Sequence, residues 1–301
     1  MKSEQTIQRG AIRTANLGLA RLTGRILAGT VALLLISAAF GGRALAITFG
    51  EPDQGRHPNV CAVIAVHPVF GLLPFSGTLI SDRVVLTAGH AVQVIEAGEA
   101  ALYGVSFDQD VDLNNPATRL EVSATAAVYT RFDVQKNGAN PANADIAVLI
   151  LKDPITTITP ATIPALGFLD ELKKAGQLQS GPDGTKLTVV GYGFGLNWPP
   201  PQPIFPVSDE GIVARNAAQP GYLGFNPGWL VLNQNPAAGF GGTGLGDSGG
   251  PAFLTDPETG DEVLVGVTSW AGDVGSGHYF RVDTATSLQF IQDAIAGLEA
   301  E

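Results

Sequence analysis

The stretch Gly246-Asp247-Ser248-Gly249-Gly250-Pro251 constrains this chain more than any other part of it. Glycine loses more conformational freedom on folding than any other residue, so a serine set among glycines indicates a backbone that bends sharply and lies close to another group. A serine nucleophile needs this geometry, together with backbone N–H groups directed at the oxyanion that forms when it attacks a carbonyl. A flexible glycine-rich loop is the alternative unless a histidine and a buried aspartate occur elsewhere in suitable settings.

Two further segments supply those two residues. His90 ends the segment Thr87-Ala88-Gly89-His90 and follows the apolar run Val84-Val85-Leu86, so it lies just past a predicted strand. Asp145 opens the apolar segment 145–151, where a carboxylate that leaves water needs a partner. A histidine, an aspartate and a serine are the three groups that an acyl-transfer site with a histidine base uses.

The wording and order of these segments resemble the trypsin/chymotrypsin-like serine peptidase family, whose signatures are Thr-Ala-x-His, an Asp-Ile-x-Leu-like segment and Gly-Asp-Ser-Gly-Gly-Pro. The resemblance runs from about Ile47 to the C-terminus. It implies an all-β fold of two antiparallel six-stranded β-barrels, chymotrypsin-like, with a C-terminal α-helix. It also implies a serine endopeptidase in which Ser248 attacks the substrate, His90 transfers the proton and Asp145 orients His90.

The same resemblance implies the rest of the site. The backbone N–H groups of Gly246 and Ser248 would form the oxyanion hole, and Ser269 would support Asp145. The residues implied to bind substrate are Gly242, Thr243, Ser269, Trp270, Ala271 and Gly277. His278 would lie close to the pocket wall.

The specificity pocket is predicted to be uncharged. Cleavage after Arg or Lys relies in this family on an aspartate at the place of Gly242, and Gly277 offers no acid either. A basic side chain there would be buried without a partner. We therefore expect apolar, small to medium side chains before the cleaved bond, with Ala271 narrowing the entrance. Asp273 is the one residue that could reverse this expectation, by meeting a basic side chain at the rim.

The first 46 residues form a predicted secretory signal. They carry six basic residues and one acidic residue, then the apolar run 26–40, then Ala44-Leu45-Ala46 as a small-x-small cleavage site. An uncleaved anchor is the alternative. We predict domains of 1–46 (signal peptide) and 47–301 (peptidase), with the first barrel at about 47–160 and the second at about 165–301. The predicted location is secreted, either extracellular or periplasmic.

Removal of this signal would also create a new amino terminus. Ile47-Thr48-Phe49-Gly50 follows the cleavage site directly and resembles the Ile-x-x-Gly start of mature family members. In the family that terminal amine pairs with the aspartate before the nucleophile, here Asp247. The resemblance therefore implies an activation ion pair between Ile47 and Asp247.

The acidic composition of the predicted mature chain limits the kinds of partner it can bind. Residues 47–301 carry 11 basic and 27 acidic side chains, a net charge of −16, which argues against nucleic acid as a partner. We expect protein or peptide substrates, a monomer, and no stable membrane association once the signal is cleaved. No cofactor or metal is expected: the spacing of Asp108, Asp110 and Asp112 could suit calcium, but the segment lacks the glycine and closing glutamate of a loop-type site.

The chain contains one cysteine, Cys61, so no disulfide can form within it. Cys61 lies in an apolar run and is predicted to be buried. In the resembled family a cystine lies next to the histidine, and Phe75 and Ala91 take its two places here. Gly244 and a residue near Gly275 take the places of the cystine beside the pocket.

Short strands and one helix are predicted from apolar runs between turn residues. The strands are 60–66, 75–80, 84–87, 121–128, 146–151, 187–190, 229–232, 250–254, 263–269 and 278–282. His90 is predicted to begin a loop, and His57 and His67, each beside a proline, are predicted at the surface. Thr286 and Gln289 form a predicted capping box for the C-terminal helix.

Two other functions fit part of the evidence. Gly246-x-Ser248-x-Gly250 matches the nucleophile elbow of α/β-hydrolase esterases, but that fold requires the order serine, acid, histidine and a helix directly after the serine. A non-catalytic binding protein on the protease fold is the second alternative. Such proteins usually lack a member of the triad, and none is lacking here.

Overall fold

The computed structural model describes residues 47–68, 71–96, 98–129, 144–193, 211–271 and 275–299. Within these ranges the strands are β1 (Glu51–Pro52), β2 (Val60–His67), β3 (Gly71–Leu79), β4 (Val84–Thr87), β5 (Ala101–Ser106), β6 (Asp110–Asp112), β7 (Val122–Tyr129), β8 (Asp145–Leu151), β9 (Thr188–Gly191), β10 (Ile212–Ala214), β11 (Asn216–Ala218), β12 (Gly221–Phe225), β13 (Trp229–Asn233), β14 (Pro251–Thr255), β15 (Glu262–Ala271) and β16 (Ser276–Arg281). The α-helices are α1 (Gly89–Glu96), α2 (Phe168–Lys174) and α3 (Ala285–Glu299). The predicted signal and Asp273 lie outside the described residues.

The first sheet is antiparallel, with six strands in the order β5-β2-β3-β4-β8-β7. Its two edges meet where the Val105 N–H donates to the Leu120 carbonyl (3.2 Å) and the Leu120 N–H donates to the Val105 carbonyl (2.8 Å). This pair nearly closes the sheet into a barrel. Every residue of β8 is buried, as its uninterrupted apolar sequence predicts.

The second sheet has the order β1-β11-β9-β14-β15-β16-β13-β12. The segment before β9 binds β12, because the Leu187 N–H donates to the Pro220 carbonyl (3.1 Å) and the Tyr222 N–H donates to the Thr185 carbonyl (2.8 Å). These bonds close six strands of the sheet, β9-β14-β15-β16-β13-β12, into a second barrel. The remaining two strands, β11 and β1, extend the sheet beyond β9. The prediction of a double-barrel fold with a C-terminal helix is confirmed.

Both barrels contribute to one apolar core. Ile64 and Leu86 of the first sheet belong to the same buried cluster as Val190 and Trp229 of the second, and Ile291 of α3 joins it. Burial of such side chains is the main favourable term in folding. Among the described residues, no helix is long and apolar enough to cross a membrane.

The places of the absent cystine beside the histidine are filled by apolar packing. Ala91 is buried in the shared core and Phe75 packs against it. Cys61 is a free, buried cysteine, as predicted. Burial raises the pKa of its thiol, which keeps the sulfur protonated and unreactive.

Three details of the helices differ from the sequence predictions. His90 lies in α1 rather than in a loop, because Ala91 and Val92 give this short segment a buried face. The N-terminal cap of α3 is Thr284, whose hydroxyl accepts from the Ser287 N–H (3.2 Å), and not the predicted Thr286. The unpredicted helix α2 buries Leu169 and Leu172.

A buried charged cluster holds the chain segment that enters β2. Asp53 is fully buried and accepts from Arg215 Nε (2.9 Å) and from both the ring and the backbone N–H of His57. His57 Nε2 lies 3.2 Å from Glu262 Oε2, and the ring stacks on Phe253. The prediction that His57 lies at the surface is wrong, because two carboxylates compensate its burial.

Candidate active site

Strand pairing brings the predicted base and its acid together. β4 pairs with β8 so that Thr87 faces Ala147, which places the residues beyond Thr87 beside the start of β8. His90 Nδ1 lies 2.8 Å from Asp145 Oδ2, and the His90 N–H donates to Asp145 Oδ1 at 2.8 Å. Two contacts to one carboxylate fix both the backbone and the ring of His90.

Asp145 is fully buried, and a third donor completes its surroundings. The hydroxyl of Ser269, on β15 of the second barrel, donates to Asp145 Oδ2. Burial alone would raise the pKa of Asp145, but the charge of His90 and these donors hold it below its usual value. The carboxylate is therefore ionised at neutral pH.

The same interaction acts on the imidazole. Burial alone would lower the pKa of His90, but the Asp145 carboxylate outweighs burial and raises it. The imidazole side chain keeps about a quarter of its surface exposed (25%), so it remains open on the side away from Asp145. Such a histidine can accept a proton from a neighbouring hydroxyl, because the imidazolium that forms faces an ionised carboxylate.

The loop that carries Ser248 is bound to both barrels. The Ser76 N–H on β3 donates to the Ser248 carbonyl (2.8 Å), and the Gly249 N–H donates to the Thr268 carbonyl on β15 (2.8 Å). Gly249 has a φ of +87°, and a Cβ there would overlap the backbone of Ser76 and lie 2.9 Å from the Ala88 nitrogen. Glycine is required at this point, and the loop lies against the chain two residues before His90.

The backbone on the other side of Ser248 is also tightly constrained. Gly246 has a φ of +87°, and a Cβ there would lie 2.8 Å from the Gly193 Cα. The N–H groups of Gly246 and Ser248 donate to no residue in the part of the chain that the structure describes. Ser248 itself is half-buried. Two backbone N–H groups that donate to no described residue, next to a partly exposed serine, could stabilise an oxyanion.

The family model for trypsin matches residues 71–295, which include His90, Asp145 and Ser248. The chain belongs to the trypsin family. That family consists of serine peptidases with the double-barrel fold described above. No curated protein matches the chain in sequence.

In this trypsin-family chain the predicted partners Ile47 and Asp247 are neighbours. Asp247 is fully buried and accepts from the N–H groups of Gly193 (2.8 Å), Gly244 (2.8 Å) and Ile47. Ile47 is itself fully buried, and Thr48 pairs with Gly242 through two backbone hydrogen bonds. Burial outweighs these donors and raises the pKa of Asp247 to about 7.

Four of the predicted substrate-binding residues lie near the ends of β15 and β16, namely Ser269, Trp270, Ala271 and Gly277, whereas Gly242 and Thr243 lie in the loop before Ser248. The register pairs Trp270 with His278 and Ala271 with Gly277, and the Trp270 and His278 rings stack at 3.7 Å. His278 thus packs beneath the segment implied to bind substrate, and burial lowers its pKa to about 4.

Sequence analysis missed one residue of this region, Gln234. It follows β13, and its side chain lies against Gly242, Gly277 and Thr243. Its neighbours in the sequence, Asn233 and Asn235, have the composition of an ordinary turn, so no local pattern distinguished it.

A separate cavity of about 520 Å³ lies elsewhere in the molecule, and none of the three predicted catalytic residues lines it. Its walls include Phe49, His57, Lys186, Gln219 and Glu262. Its position gives it no part in the arrangement around Ser248.

Proposed function

We propose that this trypsin-family protein is a serine endopeptidase that hydrolyses peptide bonds through an acyl-enzyme on Ser248. The observation that carries the proposal is the hydrogen-bonded His90–Asp145–Ser269 arrangement, together with the loop of Ser248, which lies against the chain two residues before His90. An ion pair serving stability alone would not require a half-exposed serine and two uncommitted N–H groups next to it.

Each group has a defined role in the proposed reaction. Ser248 Oγ forms a bond to the substrate carbonyl carbon while its proton passes to His90 Nε2. Asp145 keeps the proton of His90 on Nδ1, so that Nε2 is the basic atom, and stabilises the imidazolium. The N–H groups of Gly246 and Ser248 bind the oxyanion, and His90 then protonates the leaving amine. As the amine takes this proton, the C–N bond breaks and the acyl-enzyme remains. Water then attacks the acyl carbon while His90 takes its proton, and the bond to Ser248 Oγ breaks as His90 returns the proton to that oxygen and the acid leaves.

The proposal includes the maturation of the chain. We infer that residues 1–46 are a signal peptide removed on secretion, leaving 47–301 as the enzyme, with barrels at about 47–160 and 165–301. Cleavage would convert the Ile47 N–H, already bonded to Asp247, into an ammonium group. The mature enzyme would act as a monomer on proteins or peptides, without nucleic-acid or stable membrane partners.

Substitution of the nucleophile tests the proposal. Ser248→Ala should lower kcat by roughly four to six orders of magnitude, because the acyl-enzyme can no longer form. A fluorophosphonate should label the wild-type protein and not this variant. Ser180→Ala, at an exposed serine, is the matched control and should keep full activity and labelling. Peptidase activity that survives in Ser248→Ala would refute the proposal, and peptide binding without labelling would favour a non-catalytic binding protein.

A further inference from the structure

A side chain from a distant part of the sequence lies between Gly242 and Gly277, the two residues that the family resemblance places in the specificity pocket. Gln234 is buried, with 8% of its surface exposed. A Cβ added to either Gly242 or Gly277 would overlap the Gln234 side chain, so this side chain fills the space between the two glycines. The space in which an acidic residue at position 242 would project is therefore already occupied.

Hydrogen bonds hold the Gln234 amide in this place. In the orientation that satisfies every partner, its Oε1 accepts from the Thr243 N–H (3.0 Å), the Thr243 hydroxyl (2.9 Å) and the Tyr279 hydroxyl (2.7 Å), while its Nε2 donates to the Thr243 carbonyl (3.2 Å). The Gln234 N–H also donates to the Gly275 carbonyl (2.6 Å). Thr243 and Tyr279 are buried, and their hydroxyls lie 3.0 Å apart. Moving the amide away would leave these two hydroxyls only each other as partners and would remove the partner of the Thr243 N–H and carbonyl, which costs stability.

The chemistry of this floor excludes two classes of side chain. A basic side chain would meet a neutral amide whose oxygen already accepts three hydrogen bonds, so its charge would find no counter-charge among Gln234, Thr243 and Tyr279. A long or aromatic substrate side chain would need the volume that Gln234 fills. Gln234 could move out of that volume only by breaking its hydrogen bonds, which is unfavourable. Short, uncharged side chains require neither a counter-charge nor extra depth.

We propose that Gln234 is the specificity-determining residue of the pocket, which it closes with a fixed neutral amide so that short, uncharged side chains are accepted before the cleaved bond. This inference rests on the proposed peptidase function. It assigns the pocket floor to the segment after β13 rather than to the main chain at Gly242.

The test compares kcat/KM for one peptide series that differs only in Ala, Val, Leu, Phe or Arg before the cleaved bond. Wild-type enzyme should prefer Ala and Val over Phe and Arg by at least about tenfold, the discrimination that a change of a few methylenes typically gives. Gln234→Ala should raise the Phe-to-Ala ratio at least about tenfold by opening the floor. Gln234→Met, of similar length and without the amide, should keep the preference for short side chains.

Controls separate the possible results. Gln219→Ala removes the same side chain from an exposed site and should leave the ratio unchanged. Fluorophosphonate titration counts the competent sites, and Gln234→Asn serves as a milder enlargement if Gln234→Ala does not fold. A ratio that changes less than twofold in the enlarged variants, or a wild type that prefers Phe or Arg, overturns the assignment of Gln234 and leaves the peptidase proposal intact. A wild type that neither hydrolyses the series nor takes the label overturns both.

Discussion

At the scale of single residues, two opposing electrostatic effects set the pKa of His90. Its burial disfavours the imidazolium, and the ionised Asp145 at 2.8 Å favours it more strongly. Since the base in the proposed reaction is the neutral imidazole, activity should be low at acid pH and should rise with pH through the raised pKa of His90. A pH profile of kcat/KM for the wild-type protein should therefore show its acid limb above the usual pKa of histidine, 6.5, and an acid limb below that value would contradict this account.

Asp145→Asn should lower the pKa of His90 to below its usual value, because the burial of the imidazole remains while the charge that compensates it is removed. The measurement is an NMR titration of the histidine rings, which does not depend on activity. The same variant should lose roughly four orders of magnitude in kcat, since the asparagine no longer favours the productive tautomer.

His278 provides an internal control for that titration. Its pKa is lowered to about 4 by burial and not by Asp145, so it should not move in the variant. A His90 titration that stays the same in Asp145→Asn would show that the carboxylate does not control this histidine.

At the scale of elements, apolar patterning predicted much of the fold. The segment 84–87 was predicted as β4 with both ends correct, and β8 differs from its prediction by the addition of Asp145. Runs of buried β-branched residues carry this information locally. The short strands β10 and β11 were missed because Ile212–Ala214 and Asn216–Ala218 are too short and too mixed to show a period.

The residues of the candidate site likewise fall into those that a local sequence pattern predicts and those that it does not. His90, Asp145 and Ser248 were predicted because each lies within a sequence motif, and the structure places His90 against Asp145. Gln234 and the partners of His57 were not found, because their roles depend on contacts between segments far apart in the chain. Glu262, for example, lies on β15 and meets His57 across the surface of the second barrel.

The histidine that joins these elements makes the stability of the fold depend on pH. Burial alone would lower the pKa of His57, but Asp53 and Glu262 raise it from 6.5 to about 9. Arg215 also binds Asp53, so the carboxylate charge of Asp53 is shared between Arg215 and His57. A folded-state pKa above the unfolded value gives a contribution that is complete below pH 6.5 and is lost as the pH rises through 9.

His57→Gln should therefore remove up to about 3 kcal/mol of unfolding free energy at pH 6 and much less at pH 10. Urea unfolding of both proteins across this range measures the difference directly. Glu262→Gln keeps the shape of its side chain and should show a smaller effect with the same sign. A difference between wild type and His57→Gln that is constant with pH would contradict the account.

At the scale of the whole molecule, the two barrels are joined where the chemistry is proposed. Ser76 on the first barrel binds the carbonyl of Ser248, and Ser269 on the second barrel binds Asp145 on the first. The backbone N–H of the buried residue Ile47 binds Asp247, one residue from the proposed nucleophile Ser248. A change of charge at Ile47 should therefore act directly on the loop that is proposed to form the oxyanion hole.

A protein that begins at Ile47 should be more active, and more stable at pH 8, than one that begins with an uncleavable Met-Ala before Ile47. In the extended protein the pKa of Asp247 is raised to about 7, so its contribution is present below pH 3.8 and is lost as the pH rises through 7. A free ammonium reverses this effect by pairing with the carboxylate. Activity per labelled site and thermal unfolding at pH 8 are the measurements.

Asp247→Asn is the matched control, because without the carboxylate the two starting points should no longer differ in stability. Equal activity of the two wild-type proteins, with the extension confirmed intact by mass spectrometry, would show that no buried amine is needed.

The packing around Phe75, Ala91 and the sealed Cys61 has a consequence for the conditions under which this protein can exist. No sulfur–sulfur bond contributes to the cohesion of the chain, and its one thiol is hidden from reagents. A reducing agent therefore has no disulfide to break, and an oxidising agent has no accessible thiol to modify. The folded state depends on neither the oxidants nor the thiol-exchange catalysts of its surroundings, so it can form equally well on either side of a membrane that separates a reducing from an oxidising compartment.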